Sequence, residues 1–428
     1  MGKFDAIIVG AGILGTSTAY HLKLADPELK VLLIDRLSAA GQANTAKSAA
    51  QYRNYFSSEV NFLLADTSID FYTHVQRELG FDLGLKQVGY LFLMGEREFS
   101  EKLRYIKSMD EKGVESRVYE REDLERMLGL NPQIDASEEA KKMGLEGVDK
   151  GHFCIKAGLF KPDALTNFYE GQFKRMGGQT LYDTTVSSLI LKPVEELGVP
   201  GEPHVWQDKR VVGVKTDRGD FYAEKVIVAA GAWSNTLLDP LGVDSHIKPK
   251  KRQIYVIKAE KEGLNSLLYT KGFNEEGTAP VLILPKPKVV VKPMEEENGF
   301  WTTCSDELGR EYRLEDDPTP EEDYYNYSIY LALRVYFPQF DGVRPFRSWA
   351  GQYAINTIDG NPYVFEESGL MVVTGGSGSG VMKSNAVGRI AAALYMEEEY
   401  AELYGGKTFR VSDLGVRERR VEPEIFIL

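Results

Sequence analysis

Residues 4–35 constrain this chain more than any other stretch. Phe4-Asp5-Ala6-Ile7-Ile8-Val9 is an apolar run of strand composition, and Gly10-Ala11-Gly12-Ile13-Leu14-Gly15 follows at once. Thr16 to Leu24 reads as a helix with Ala19, Tyr20 and Leu22 to bury, and Lys30-Val31-Leu32-Leu33-Ile34 is a second strand closed by Asp35. Strand, G-x-G-x-x-G, helix, strand, acid is the order of a dinucleotide-binding unit, and each piece has a mechanical task. Gly10 permits the tight turn, Gly12 lets a pyrophosphate approach the backbone, and Gly15 lets helix and strand pack closely. The helix N-terminus attracts phosphate charge. Asp35 stands where a carboxylate can accept hydrogen bonds from ribose hydroxyls.

The remaining length, 428 residues in all, is enough for about two or three domains. A formal charge of −13 argues against a nucleic-acid surface and fits a protein that handles small molecules. Two cysteines, Cys154 and Cys304, make no disulfide framework, and no Cys/His cluster offers a metal site. The opening apolar run is too short to span a membrane and lacks the basic flank and cleavage site of a signal peptide. The expected location is cytoplasmic, with peripheral membrane association left open.

Beyond Asp35, residues 36–55 read as a loop, and Ser58 to Leu79 as an amphipathic helix with Phe62, Leu63, Ile69, Phe71 and Val75 near one stripe. Val88 to Met94 is a strand, and Arg97 to Lys112 and Arg121 to Leu128 are helices. Pro162 to Met176 is a helix with proline in its first turn and Gly177-Gly178 as its stop. Strands follow at 186–191, 211–216 and 221–228, the first two separated by a proline-bearing insertion, Pro193 to Asp208, suited to packing or oligomerisation. From Ile247 to Arg347 strands at 253–259, 281–284, 289–292 and 300–303 read as an antiparallel sheet without intervening helices. The acidic stretch Glu315 to Glu322 precedes a Tyr-rich helix, Tyr324 to Tyr336. A last strand, Leu370 to Thr374, runs into Gly375-Gly376-Ser377-Gly378-Ser379-Gly380 and a helix, Val381 to Tyr395. The expected architecture is therefore α/β plus α+β: a discontinuous Rossmann-like domain (1–85, 146–246, 346–428) and an antiparallel-sheet substrate domain (86–145, 247–345).

The N-terminal fingerprint, Val228-Ala229-Ala230-Gly231-Ala232-Trp233-Ser234, Trp349-Ala350-Gly351 with Asp359-Gly360-Asn361-Pro362, and Gly375 to Lys383 occur in the order found in the D-amino-acid oxidase and sarcosine oxidase superfamily, which the chain resembles. Lys47 to Arg53, Gly89-Tyr90-Leu91-Phe92, Pro249-Lys250-Lys251-Arg252 and Ser379 to Ser384 are more narrowly similar to archaeal dye-linked L-proline dehydrogenases. The resemblance implies FAD as the cofactor. It places Gly10, Gly12, Ile13, Leu14, Gly15, Asp35 and Arg36 at its adenosine and pyrophosphate end, and Lys47, Ser48 and Ala49 along pyrophosphate and flavin. It further implies cofactor contacts from Val186, Ala230, Gly231 and Trp233, and from Gly376, Gly378, Ser379, Gly380, Val381, Met382 and Lys383 near the flavin.

The departures from the family pattern carry information. Covalent relatives have a cysteine shortly after Trp-Ala-Gly; Gln352 stands there, which implies non-covalent FAD. Many relatives grip a carboxylate with an arginine just beyond, where this chain has Tyr353. Arg53 and Lys383 match the other carboxylate-binding positions of the superfamily, Arg53 as a bidentate partner and Lys383 as a point charge. Tyr353 is expected to shape the pocket or hydrogen-bond the substrate, and the apolar end Ile425-Phe426-Ile427-Leu428 either to close the pocket with Leu428 or to anchor on the protein's own surface or a partner subunit. Oxidases of the family use a lysine on a substrate-domain strand to help oxygen react; Thr302 or Thr303 is aligned there, which favours a dehydrogenase.

The implied activity is that of an L-proline dehydrogenase. Hydride passes from the C–H beside the substrate nitrogen to flavin N5, and electrons pass on to a quinone or redox protein. Nitrogen's lone pair drives the transfer, so no side-chain base is needed, and His21, His74, His152, His204 and His246 show no catalytic grouping. A homo-oligomer, such as a dimer, is expected. Sarcosine-type or D-amino-acid oxidation, a 2-hydroxy-acid or glycerol-phosphate flavin dehydrogenase, and a non-catalytic flavoprotein subunit remain open alternatives.

Overall fold

The computed structural model describes residues 3–131, 134–305 and 310–426. The expected contact from Leu428 lies outside these. The first of two large sheets has the order Tyr363–Glu367, Leu370–Thr374, Gly219–Val228, Phe4–Val9, Val31–Ile34, Gln179–Leu181, parallel throughout except at the Tyr363–Glu367 edge. Residues 6–9 and the strands Val31–Ile34 and Leu370–Thr374 are buried on both faces, which is why they read as unbroken apolar runs. Ala6, Ile8 and Leu33 face helices Ile13–Ala25, Pro162–Arg175 and Ser384–Tyr395. Ile7, Val9, Leu32 and Ile34 face the strands Val186–Pro193 and Lys209–Thr216, which continue from Gly219–Val228 as antiparallel neighbours. Gly15 holds helix to sheet: a Cβ there would meet the Gly10 carbonyl oxygen at 1.8 Å.

The second sheet runs Arg347–Ile355, Lys248–Lys258, Gly299–Cys304, Val289–Met294, Val281–Ile283, Tyr90–Met94, Lys150–Cys154, Ser116–Glu120. Two expectations need correction. The sheet is mixed, because Val281–Ile283 pairs parallel with Tyr90–Met94, and a helix, Glu262–Leu268, interrupts the run of strands. Leu264, Leu267 and Leu268 cover the sheet face that carries Tyr255, Ile257 and Phe300, a periodicity too short to stand out in sequence. Strands Lys150–Cys154 and Arg347–Ile355 hydrogen-bond in this sheet, although the boundaries drawn from sequence put both with the first. Pairing across some sixty residues to Tyr90–Met94, and nearly a hundred to Lys248–Lys258, leaves no local sequence mark.

The Tyr-rich helix is continuous from 322 to 336, with a π-helical turn at Tyr325–Ile329 between Glu322–Tyr324 and Tyr330–Tyr336. Its rings pack, with Tyr324 and Tyr336 donating to the carbonyls of Cys304 and Glu146. The loop read in residues 36–55 contains a short strand, Gln51–Arg53, paired antiparallel with Ala157–Leu159. The 193–208 insertion is the tip of a hairpin and turns Trp206 (73% exposed) and Val205 (94%) to solvent. Among the described residues no helix is long and apolar enough to cross a membrane.

Candidate flavin and substrate site

A cavity of ≈ 360 Å³ opens along the C-terminal ends of the first sheet's strands and under the edge of the second. Gly10, Gly12, Ile13, Leu14, Asp35 and Arg36 line one end, with Val186 beside them. Ala230, Gly231 and Trp233 line its wall, Ser48 its flank, and Gly376, Gly378, Gly380 and Val381 with Tyr353 its other end. Seven of the proposed site residues do not line it. Gly15 is consumed in packing, and Met382 is buried in the core. Lys47 pairs with Asp317 at 3.3 Å, the Ala49 carbonyl accepts from Lys292, and the Ser379 hydroxyl donates to the Gly376 carbonyl. Arg53 and Lys383 lie deeper and are buried, Arg53 against Phe92 of the second sheet.

The residues present fit a bound dinucleotide. Gly10 has φ +107°, and a Cβ on it would meet the Ala229 carbonyl oxygen at 2.6 Å, so only glycine makes this turn. Gly12 differs: its nearest neighbour, Thr45 Oγ1, is an ordinary 3.5 Å away. Nothing in the protein forbids a side chain there, so the space before the backbone is left for a ligand. Gly12 is also the N-cap of helix Ile13–Ala25 and supplies no capping side chain, which leaves the helix N-terminus facing the cavity. Asp35 accepts from the Ala11 and Leu37 amides at 2.6 and 2.8 Å, one on each oxygen, and each oxygen keeps a lone pair for a ribose hydroxyl. At the far end a Cβ on Gly378 (φ +86°) would meet the Tyr353 ring at 2.5 Å, so this turn is pressed against the strand that carries Tyr353.

The comparisons with known proteins agree with this cleft. The DAO family profile, described as FAD dependent oxidoreductase, matches residues 5–394. The chain belongs to that family. Its cofactor is accordingly FAD, and the enzyme is an FAD-dependent oxidoreductase. Among curated proteins it is 26% identical to "FAD-dependent oxidoreductase domain-containing protein 1" of Xenopus laevis, over 97% of this chain and 82% of that protein. It is 25% identical to the glycine oxidase of Pseudomonas aeruginosa, over 92% and 95%. Among solved structures, the L-proline dehydrogenase of P. horikoshii superposes with a TM-score of 0.72 at 23% identity, covering 92% of this chain and 94% of that one. That last likeness concerns the fold.

Three features around the cleft were missed by sequence reasoning. The acidic stretch Glu315 to Glu322, given no role from sequence, reaches the cavity. Asp316 lines the cavity and accepts from Trp233 Nε1 at 2.8 Å and Arg36 Nη1 at 3.5 Å, and the Trp233 and Arg36 contacts hold its carboxyl below the usual range. The Arg36 guanidinium also stacks over Trp233 at 4.5 Å.

The second feature is Lys292. Thr302 and Thr303 were aligned with the oxygen-assisting lysine, but Thr302 is buried and its hydroxyl donates to the Tyr255 carbonyl. One strand over, opposite Trp301, lies Lys292, 2% exposed. Its ammonium donates to the Ala49 carbonyl at 2.5 Å, sits over the Trp301 ring at 4.2 Å, and makes no ion pair among the described residues. Burial lowers its pKa to about 7. The inference from a missing lysine therefore fails: a buried strand lysine is present beside the 46–49 loop. In sequence it passes for the outward member of Val289-Val290-Val291-Lys292, and only the pairing register places it.

The third feature is what surrounds Arg53 and Lys383. Both are buried, and both approach the Phe56 ring, at 4.0 and 5.0 Å. Arg53 donates to the carbonyls of Tyr55 and Phe426, and Lys383 to the side-chain oxygens of Asn61 and Asn361. Neither forms an ion pair among the described residues. Burial pushes both pKa values down, that of Lys383 to about 7. Tyr353 lies on the cavity wall beneath Arg252, 5.5 Å from ring centre to guanidinium. The tail reaches this site: Glu424 accepts from the amides of Ser57 and Ser58, and the Phe426 ring is fully buried against Tyr55 and Phe92.

Proposed function

We propose that this flavoenzyme oxidises a small amino acid at the C–H beside its nitrogen, with L-proline as the substrate, and passes the electrons to a carrier other than oxygen, such as a quinone or redox protein. The observation that carries the reading is the pair Arg53 and Lys383: two buried cations on one aromatic ring, with Glu424 near enough to act on both but no carboxylate in ion-pair contact with either among the described residues. Buried charge is costly unless paired, and a substrate carboxylate would complete both. Bound FAD supplies the two-electron acceptor. The chain's own groups hold the carboxylate, present the neutral amine, and exclude water with Phe56, Phe92 and Phe426. Gln352 at the attachment position supports non-covalent binding of the cofactor.

The test is anaerobic reduction of the holoenzyme across L-proline, sarcosine, glycine, D-amino acids, 2-hydroxy acids and glycerol phosphate. L-proline should bleach the visible absorption, air should restore it slowly, and acid precipitation should release FAD from the protein. Bleaching by a hydroxy acid and by no amine would refute the substrate class. A second reading, an oxidase, is favoured by Lys292 alone, and fast reoxidation with peroxide release would select it.

A further inference from the structure

We propose that Arg419, in the C-terminal segment, is a positioning residue for Lys383, acting through Asp359 and Asn361. The inference rests on the carboxylate-binding reading of Lys383.

Arg419 and Asp359 form a fork: Nε donates to Oδ2 at 2.5 Å and Nη2 to Oδ1 at 2.7 Å, with both side chains about nine-tenths buried. The guanidinium lies over the Tyr363 ring at 4.1 Å and also donates to the carbonyls of Pro362, Leu414 and Asn361. Such a pair is rigid, because the planar guanidinium fixes the carboxylate in its own plane.

The carboxylate fixed in this way builds the next turn. Asp359 Oδ1 accepts from the Asn361 amide at 2.9 Å and from Asn356 Nδ2 at 2.8 Å. Asn361, itself fully buried, turns its side-chain nitrogen back to the Asp359 carbonyl at 3.2 Å. Its side-chain oxygen is thereby left facing Lys383 Nζ at 3.1 Å. Lysine only donates, so this orientation of the amide is the one that serves it. Nζ also donates to Asn61 Oδ1, in the first turn of helix Glu59–Arg77. Among the described residues two amide oxygens take two of the three ammonium donors, which leaves the third for a ligand.

This arrangement explains why a lysine so deeply buried is placed on amides and not on a carboxylate. An ion pair would neutralise the charge and compete with an anionic substrate. Neutral oxygens set the direction of Nζ and leave its charge available. The one carboxylate in the chain of contacts, Asp359, is neutralised by Arg419 one residue pair further out. The Asp-Gly-Asn-Pro turn thus acts as a spacer between an ion pair and a lysine that makes no ion pair among the described residues.

The test measures binding in the holoenzyme with cyclopentanecarboxylate, which has the carboxylate and ring but no nitrogen to oxidise, read from the perturbed visible absorption. Arg419→Met and Asn361→Leu should each raise the Kd about tenfold, the loss of one hydrogen bond to a charged group. In a Lys383→Met background neither should raise it further, since residues acting through one another are non-additive. Equal losses in both backgrounds would show a merely structural role and overturn the inference. So would a folded Asn361→Leu protein with unchanged Kd; that variant leaves the ion pair intact and decides the matter if Arg419→Met does not fold. A Lys383→Met protein that binds as tightly as the unaltered one, or an unaltered protein that does not bind the probe, would remove the carboxylate reading itself and this inference with it.

Discussion

Replacing Lys292 by methionine removes an ionisable group and keeps the length and most of the volume of the side chain. In the folded protein burial holds the Lys292 pKa at about 7, against 10.5 for a lysine in water. Between those two values the unfolded chain holds a proton that folded Lys292 has released. Stability must then rise with pH across that window and fall as pH drops from 10.5 toward 7, with a slope of at most about 1.4 kcal/mol per pH unit. Over the whole window the difference amounts to roughly 5 kcal/mol. The substitution also strands the Ala49 carbonyl, a loss of about 1–3 kcal/mol that does not depend on pH. The quantity to measure is therefore the pH slope of the difference between the two proteins, from guanidinium unfolding between about pH 6.5 and 9.5. Other groups with shifted pKa, Lys383 and Cys154 among them, cancel in that difference. The unaltered protein should gain on Lys292→Met as pH rises above about 7, and the difference should be flat below it. Parallel curves would mean that Lys292 keeps its proton when folded, and the burial argument would be wrong. The same titration bears on oxygen: if the ammonium assists reoxidation by air, that rate should fall as pH rises through about 7.

Gly12 and Gly15 should separate cofactor binding from folding. Gly12→Ala should leave the melting temperature of the apoprotein unchanged while weakening FAD retention, because its Cβ meets only ordinary contacts in the protein; Gly15→Ala, colliding with the Gly10 carbonyl, should lower both, as thermal melts and flavin content would show. Arg53→Met should raise KM for the best amino acid by a factor of about ten or more with little change in kcat, since it grips a group present in ground and transition states alike. An unchanged KM would place Arg53 outside the site.

The sequence by itself determined the FAD half. Gly10, Gly12, Gly15 and Asp35 act within one contiguous strand–turn–helix–strand unit, so their spacing along the chain is their spacing in space. The glycine turn before Ser384–Tyr395 is equally local, and both turns were legible for that reason. The substrate side was not. Lys292 reads as one more alternating strand residue until the register with Gly299–Cys304 and the approach of Ala49 give it a neighbourhood. Asp316 belongs to an acidic loop whose partners, Arg36 and Trp233, lie 280 and 83 residues away. Arg53 and Lys383 could be nominated from family likeness, but not the two asparagines or the Arg419–Asp359 pair that orient Lys383. Those contacts join segments up to 322 residues apart in sequence, and only tertiary packing brings them together.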